Sequence, residues 1–392
     1  MFDHEEIPQV KRAIKECASM DRKLLDDLRS EVLLMRPNVR VIRPRRITTF
    51  SLVASDSTNN KLVYDPFYFQ LIRVVDSNGR NLCLDTITPT TDTDLLSKRQ
   101  FDDKGNPQTP LGSLMKDLNC ETLNDLSPMI PKGEEIRNPS EDKPISKSWV
   151  LTYRDLCEWA VLYNIICKEG FATHTVVVRD GLLRSKIFRY TADRRPLFIE
   201  MMDRINTAIE NIFTKKKIKV FFVGLAKHSQ VLSRYSLALQ LEDILPPGES
   251  LYAKVPDDME RKSYVWKEYI GKPNDDGAEG EVNKYSMGSL YLVRFGKKNF
   301  DPVWAIDLLG SQTSFDAEIF GYLLMDTLDG FPVPHYPACL QKALEYAQVI
   351  DFDLDILQDE VVKAIREIIP ADKKEILDYQ SLNKNLTSNR QE

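Results

Sequence analysis

The alternation of helical and extended apolar periods between residues 149 and 350 constrains this chain more than any other feature. In "LTYRDLCEWAVLYNIICKEG", Leu151, Leu156, Val161, Leu162, Ile165 and Ile166 recur at helical spacing and predict a helix over 152–168. "HTVVV" predicts a strand over 174–179, the run 196–213 a second helix, and "KVFFVG" a strand over 218–224. "GSLYLVRF" and "PVWAIDLLG" predict an antiparallel pair, followed by helices at 316–328 and 337–349. Alternation of this kind implies an α/β layer built on a central sheet flanked by helices.

The flanking regions read differently. Residues 5–34 carry Val10, Ile14, Cys17, Met20, Leu24, Leu25, Leu28 and Leu33 at three- and four-residue spacing, which predicts a helix. Strands are expected at 47–55 and 67–75, and the Asn78-Gly79 pair inside "VVDSNGRNLCLDTI" predicts a hairpin. Residues 87–148 are rich in Thr, Asp, Pro, Asn and Lys and read as an insertion or a set of long loops. Residues 254–284 read as a loop, and 351–392 as a helical tail with a polar end. The expected division is an N-terminal helix and basic linker over 1–46, a main domain over 47–350 and the tail over 351–392.

At 392 residues the chain is long enough for a sizeable core, and a hydrophobic content of 42% is that of a soluble globular protein. Lys and Arg total 53 against 59 Asp and Glu, so the net charge of −6 does not announce a nucleic-acid binder. Binding depends on local patches, and "MRPNVRVIRPRRITTF" holds one, with Arg36, Arg40, Arg43, Arg45 and Arg46. That stretch is either a solvated linker or a segment that tracks phosphates. The six cysteines, at 17, 83, 120, 157, 167 and 339, form no CxxC pair, which argues against a zinc ribbon and a disulfide framework. Free thiols, an acidic amphipathic N-terminus and the lack of a membrane-length apolar run give a cytoplasmic expectation.

Several polar residues stand where chemistry is possible. "SLVASDSTNN" and "HTVVVRDGLL" each drive an apolar run into an aspartate, Asp56 and Asp180. Either turn-favouring residues end ordinary strands there, or two carboxylates are carried to one place. Glu158 shares a helix face with Leu162 and Ile165, so it is either a paired surface residue or a core-side carboxylate that needs a partner. Lys227 follows the strand "VFFVGLA" and is suited to meeting a phosphate as a point charge. "DGFPVPHYP" is a rigid turn that presents His335 or Tyr336.

Taken in order, "VASDS", "YRDLCEWA", "VVVRDGLL", "VGLAKHSQ" and "GFPVPHYP" resemble the motifs of the NurA nuclease family. The resemblance covers roughly 45–86 and 149–350, with 87–148 as an insertion. It implies an RNase H-like core and a metal-dependent DNA nuclease, a 5′–3′ exonuclease that also cuts as an endonuclease. It implies Mn²⁺ or Mg²⁺ as two ions on Asp56, Glu158 and Asp180, with Lys227 at a phosphate and Arg43, Arg45, Arg46 and Lys227 along the DNA. It also implies a homodimer that works with a HerA-type hexameric ATPase in DNA end processing or defence against foreign DNA. Two departures stand out: the first motif reads Asp56-Ser57-Thr58 where the family has Asp-Gly-Ser, and Phe331 stands where it has tyrosine. The helix after the last motif lacks the family's histidine, so His335 either takes that role as a proton donor or neutral ligand or is a solvent-exposed turn histidine. The alternative is a weakly catalytic scaffold that guides DNA for a translocase.

Overall fold

The computed structural model describes residues 6–45, 50–64, 67–139, 146–190, 196–264, 286–328, 330 and 332–370. In chain order the elements are α1 (Glu6–Met20), α2 (Arg22–Val32), β1 (Arg40–Val41), β2 (Phe50–Tyr64), β3 (Phe67–Asp76) and β4 (Asn81–Ile87). Four short helices follow: α3 (Thr93–Lys98), α4 (Pro110–Asp117), α5 (Leu123–Leu126) and α6 (Gly133–Arg137). Next come α7 (Trp149–Cys167), β5 (His174–Asp180), α8 (Leu197–Lys216), β6 (Val220–Ala226), α9 (Gln230–Leu241), β7 (Leu251–Lys254) and α10 (Asp257–Ser263). The chain ends with β8 (Gly288–Arg294), β9 (Trp304–Leu309), α11 (Asp316–Thr327), α12 (Ala338–Ala347) and α13 (Asp351–Ile368). Two compact units contain these elements: Met1–Ser55 with Leu162–Lys342, and Asp56–Val161 with Ala343–Glu392.

In the first unit the strands run in the order β1-β7-β8-β9-β6-β5-β2. The start of β2 pairs parallel with β5, from Phe50 opposite His174 to Ser55 opposite Arg179. β5 pairs parallel with β6, and β6 pairs antiparallel with β9. β9 pairs antiparallel with β8, as the sequence predicts, and β8 with β7 likewise. The sheet is therefore mixed. Val176, Val177 and Val178 are fully buried and every residue of β6 is buried, the continuous apolar pattern of a central strand covered on both faces. One core of this unit joins Val231, Tyr235 and Ala238 of α9 to Leu251 and Ala253 of β7 and Leu290 and Leu292 of β8.

In the second unit β3 and β4 form the antiparallel hairpin that Asn78-Gly79 predicts, with Gly79 at φ +81°. In the first unit β2, β5 and β6 are three parallel neighbours, and β9, β8 and β7 continue the sheet antiparallel. Ile365 of α13 packs in this unit with Phe67, Val361, Val362 and Ile369.

Four expectations need correction. β2 does not stop at residue 55 but runs on to Tyr64, so Asp56 sits within a strand and not at its end. Polar residues do not break a strand whose backbone stays paired, and "STNN" gave a misleading turn signal. Residues 87–148 are not loops throughout. Asp92, Thr109 and Thr122 cap α3, α4 and α5, each accepting from backbone N–H groups, and Thr122 with Asp125 completes a capping box. The 5–34 helix is broken at Asp21 into α1 and α2. No residue of α1 is buried, and Ile7, Val10, Ile14 and Met20 are exposed. Within 254–284, residues 257–263 are helical and 265–285 lie outside the described residues.

Candidate functional site

Asp180 is the last residue of β5, and Gly181 follows at φ +125°, a conformation that only glycine adopts without strain. The Gly181 N–H donates to the Leu225 carbonyl of β6 at 2.7 Å, which turns the chain back over its neighbour strand. Gly224 of β6 leaves the room for this turn. A Cβ there would stand 2.5 Å from the Gly181 carbonyl oxygen and 2.7 Å from the Leu183 nitrogen. Two glycines thus fix the loop that carries Asp180.

A buried charge cluster holds the same loop from below. Asp307 of β9 is fully buried and accepts from the Leu183 N–H at 3.0 Å, from Arg184 Nε at 2.9 Å and from Arg184 Nη2 at 2.7 Å. Arg184 also donates to Glu260 of α10 at 3.0 Å, and its guanidinium lies 4.5 Å from the centre of the Tyr264 ring. Burial works against the Arg184 charge, but attraction and hydrogen bonds from Asp307 prevail and raise its pKa. Burial raises the Glu260 pKa, and Arg184 opposes the rise.

Asp180 itself is partly buried, with its two oxygens differently engaged. Lys227 Nζ donates to Oδ2 at 2.9 Å, and the Tyr336 hydroxyl donates to Oδ1 at 3.3 Å. Lys227 follows the end of β6, so parallel neighbours deliver both partners of the ion pair. The ammonium also lies 5.1 Å from the centre of the Tyr336 ring, within reach of its π face. Tyr336 is fully buried and rests against Trp304 with ring centres 4.9 Å apart. Gln341 of α12 pins the turn before it, donating to the carbonyls of Tyr336 at 2.9 Å and Val333 at 3.2 Å and accepting from the Val333 N–H at 3.0 Å.

Of the residues expected at a site, Asp180 and Lys227 are therefore brought together. His335 is not on Asp180: its imidazole lies 3.5 Å from Asp301, and its carbonyl accepts from the Trp304 indole N–H at 2.7 Å. His335 has φ +56°, and this left-handed residue directs the next one, Tyr336, to the aspartate. Glu158 belongs to the second unit and is buried, which settles its place on the core side of α7. The Asp56 backbone is in β2, and its side chain lies outside the described residues. Arg43 and Arg45 are exposed, with the Arg45 N–H bonded to the Gly321 carbonyl, and Arg46 lies outside the described residues. Arg36 and Arg40 donate to backbone carbonyls of Glu242 and of Pro37 and Val39. Asp307, Arg184 and Gln341 were missed. The signal for Asp307 was present, since a charge inside the apolar run "VWAIDLL" must be buried and paired.

Carboxylates suit hard divalent ions. Among the described residues no three His, Cys, Asp or Glu side chains lie together as metal ligands, and Asp180 is met by an ammonium.

No known family profile matches the sequence, and no curated protein does. The chain is similar to solved structures of NurA. The NurA nuclease from Sulfolobus solfataricus is 11% identical, with a TM-score of 0.46 over 94% of this chain and 99% of that one. A NurA structure with dAMP and manganese is also 11% identical, with a TM-score of 0.36 over 93% and 99%. An Argonaute from Marinitoga piezophila with guide RNA and target DNA is 11% identical, with a TM-score of 0.24 over 78% and 31%.

Proposed function

We propose that the chain is a metal-dependent deoxyribonuclease in which Asp56, Glu158 and Asp180 hold Mn²⁺ or Mg²⁺. The observation that carries this reading is the Asp180–Lys227 pair at the ends of two parallel strands, with Tyr336 on the other carboxylate oxygen. The order of sequence motifs supports it, and so do the parallel β2–β5 and β5–β6 pairings. Two divalent ions would supply charge for the phosphoryl oxygens and an activated water. The protein's own part is to orient. Tyr336 and Lys227 fix the rotamer of Asp180, while the glycine turn and Asp307 fix its backbone. Lys227 is the cation available to a phosphate oxygen once Asp180 takes another partner. Exposed Arg43 and Arg45, with Arg46, would follow the DNA backbone.

The finer features of the proposal are 5′–3′ exonuclease polarity with some endonuclease cutting, a homodimer, and a HerA-type hexameric ATPase as partner. The uncovered apolar residues of α1 support association with another chain. In a direct test, purified protein receives linear DNA with Mn²⁺, with Mg²⁺, or with chelator. Degradation is expected with metal, with none in chelator and recovery on adding metal back. Digestion that persists in chelator, or none with either metal, would overturn the proposal.

A further inference from the structure

Outside the proposed site, the second unit contains a thiol pair that the nuclease reading does not use. β4 and α7 meet through two matched rungs. The Tyr153 hydroxyl donates to Asp85 Oδ2 at 2.8 Å. Two residues back along β4 and one turn on along α7 stand Cys83 and Cys157, the next pair across the same two elements. The match is geometric: two strand residues advance about 6.7 Å and four helical residues about 6 Å, so one rung sets the next. Cys157 is buried and Cys83 is half-buried. Both line an open cavity of about 260 Å³ along with Asp85, Arg99, Gln108 and Tyr153. Of the two, Cys83 is the more exposed.

We infer that Cys83 and Cys157 form an oxidisable dithiol that takes a small hydroperoxide as its oxidant. The Cys83 thiolate attacks the peroxide O–O bond, becomes a sulfenic acid and releases water after protonation. The Cys157 sulfur then attacks the Cys83 sulfur, the S–O bond breaks, and a second water leaves as the S–S bond forms. In sum, two thiols and hydrogen peroxide give one disulfide and two waters, with the sulfurs oxidised and the peroxide oxygens reduced. The product would tie β4 to the turn of α7 that carries Glu158. The thiol chemistry itself does not depend on the nuclease reading.

Titration of the full chain with hydrogen peroxide, then alkylation in denaturant and non-reducing peptide mapping, tests the inference. A peptide linked through Cys83 and Cys157 is expected before exposed Cys17 and half-buried Cys167 are consumed, and dithiothreitol should reverse it. Cys157→Ser should instead leave Cys83 as a sulfenic acid that dimedone labels. Cys83→Ser, which alters the less buried partner, should abolish the linkage and leave Cys157 alkylatable. If peroxide consumes Cys17 and Cys167 while Cys83 and Cys157 of the folded wild-type chain remain free thiols, the inference is overturned.

Discussion

Replacing Asp307 by asparagine tests the charge cluster beneath the Asp180 loop. Asp307 has no exposed side-chain surface, and the Arg184 side chain is 6% exposed, so water cannot replace what the substitution removes. The carboxylate accepts three hydrogen bonds, two of them from the guanidinium. An asparagine keeps one accepting oxygen and turns an NH₂ group toward donors that cannot accept. Breaking one side of a buried ion pair costs roughly 3–5 kcal/mol, because the surviving charge stays desolvated. Glu260 still faces Arg184 at 3.0 Å, which places the expected loss at the lower end, about 3 kcal/mol. Equilibrium urea unfolding followed by tryptophan fluorescence reads this, since Trp304 shares β9 with Asp307. The triple replacement Arg184→Met, Asp307→Leu and Glu260→Gln should recover much of the loss, because it removes all three buried charges of the cluster together. A loss below about 1 kcal/mol for Asp307→Asn, with the triple variant no better, would refute the reasoning.

Other expectations follow from the same geometry. Burial raises the native pKa of Glu260 above its ordinary value of 4.5, so the folded chain binds more protons than the unfolded chain in that window. Its contribution to stability therefore falls as pH rises from 4.5 through the raised native pKa, and Glu260→Gln should flatten that slope in urea unfolding measured across pH. His335→Asn, which tolerates a left-handed backbone, should change DNA degradation by less than about threefold, whereas a proton donor would lose about a hundredfold. Reversing charge at Arg43 and Arg45 should lower the slope of log affinity against log salt by about one unit per lost phosphate contact. An unchanged slope in a binding titration would leave both residues outside the DNA path.

The sequence revealed elements whose periodicity was long and undiluted. α7, β5, α8, β6 and the β8–β9 pair fall close to their predicted spans, because apolar spacing alone determines them. Shorter elements were hidden. β7 has four residues, and α3 to α6 have four to eight, too few for a period to emerge. Their Thr, Asp and Pro residues resemble a loop, yet the same residue types start helices. At the candidate site, Asp180 and Lys227 were legible because each ends a strand that the apolar pattern marks. Tyr336 was harder to separate from His335, since the sign of one backbone dihedral decides which side chain reaches the carboxylate. The Asp307–Arg184 bond and the Cys83–Cys157 pair span 123 and 74 residues of chain, and no local pattern links such partners.

The measurement closest to the central claim is the rate at which Asp180→Asn degrades linear DNA in Mn²⁺, beside the wild-type chain at equal concentration and with matching circular dichroism. The substitution keeps the shape of the side chain and removes the charge that faces Lys227. The account predicts a rate at least about a hundredfold lower with the fold intact. Degradation at the wild-type rate would contradict it.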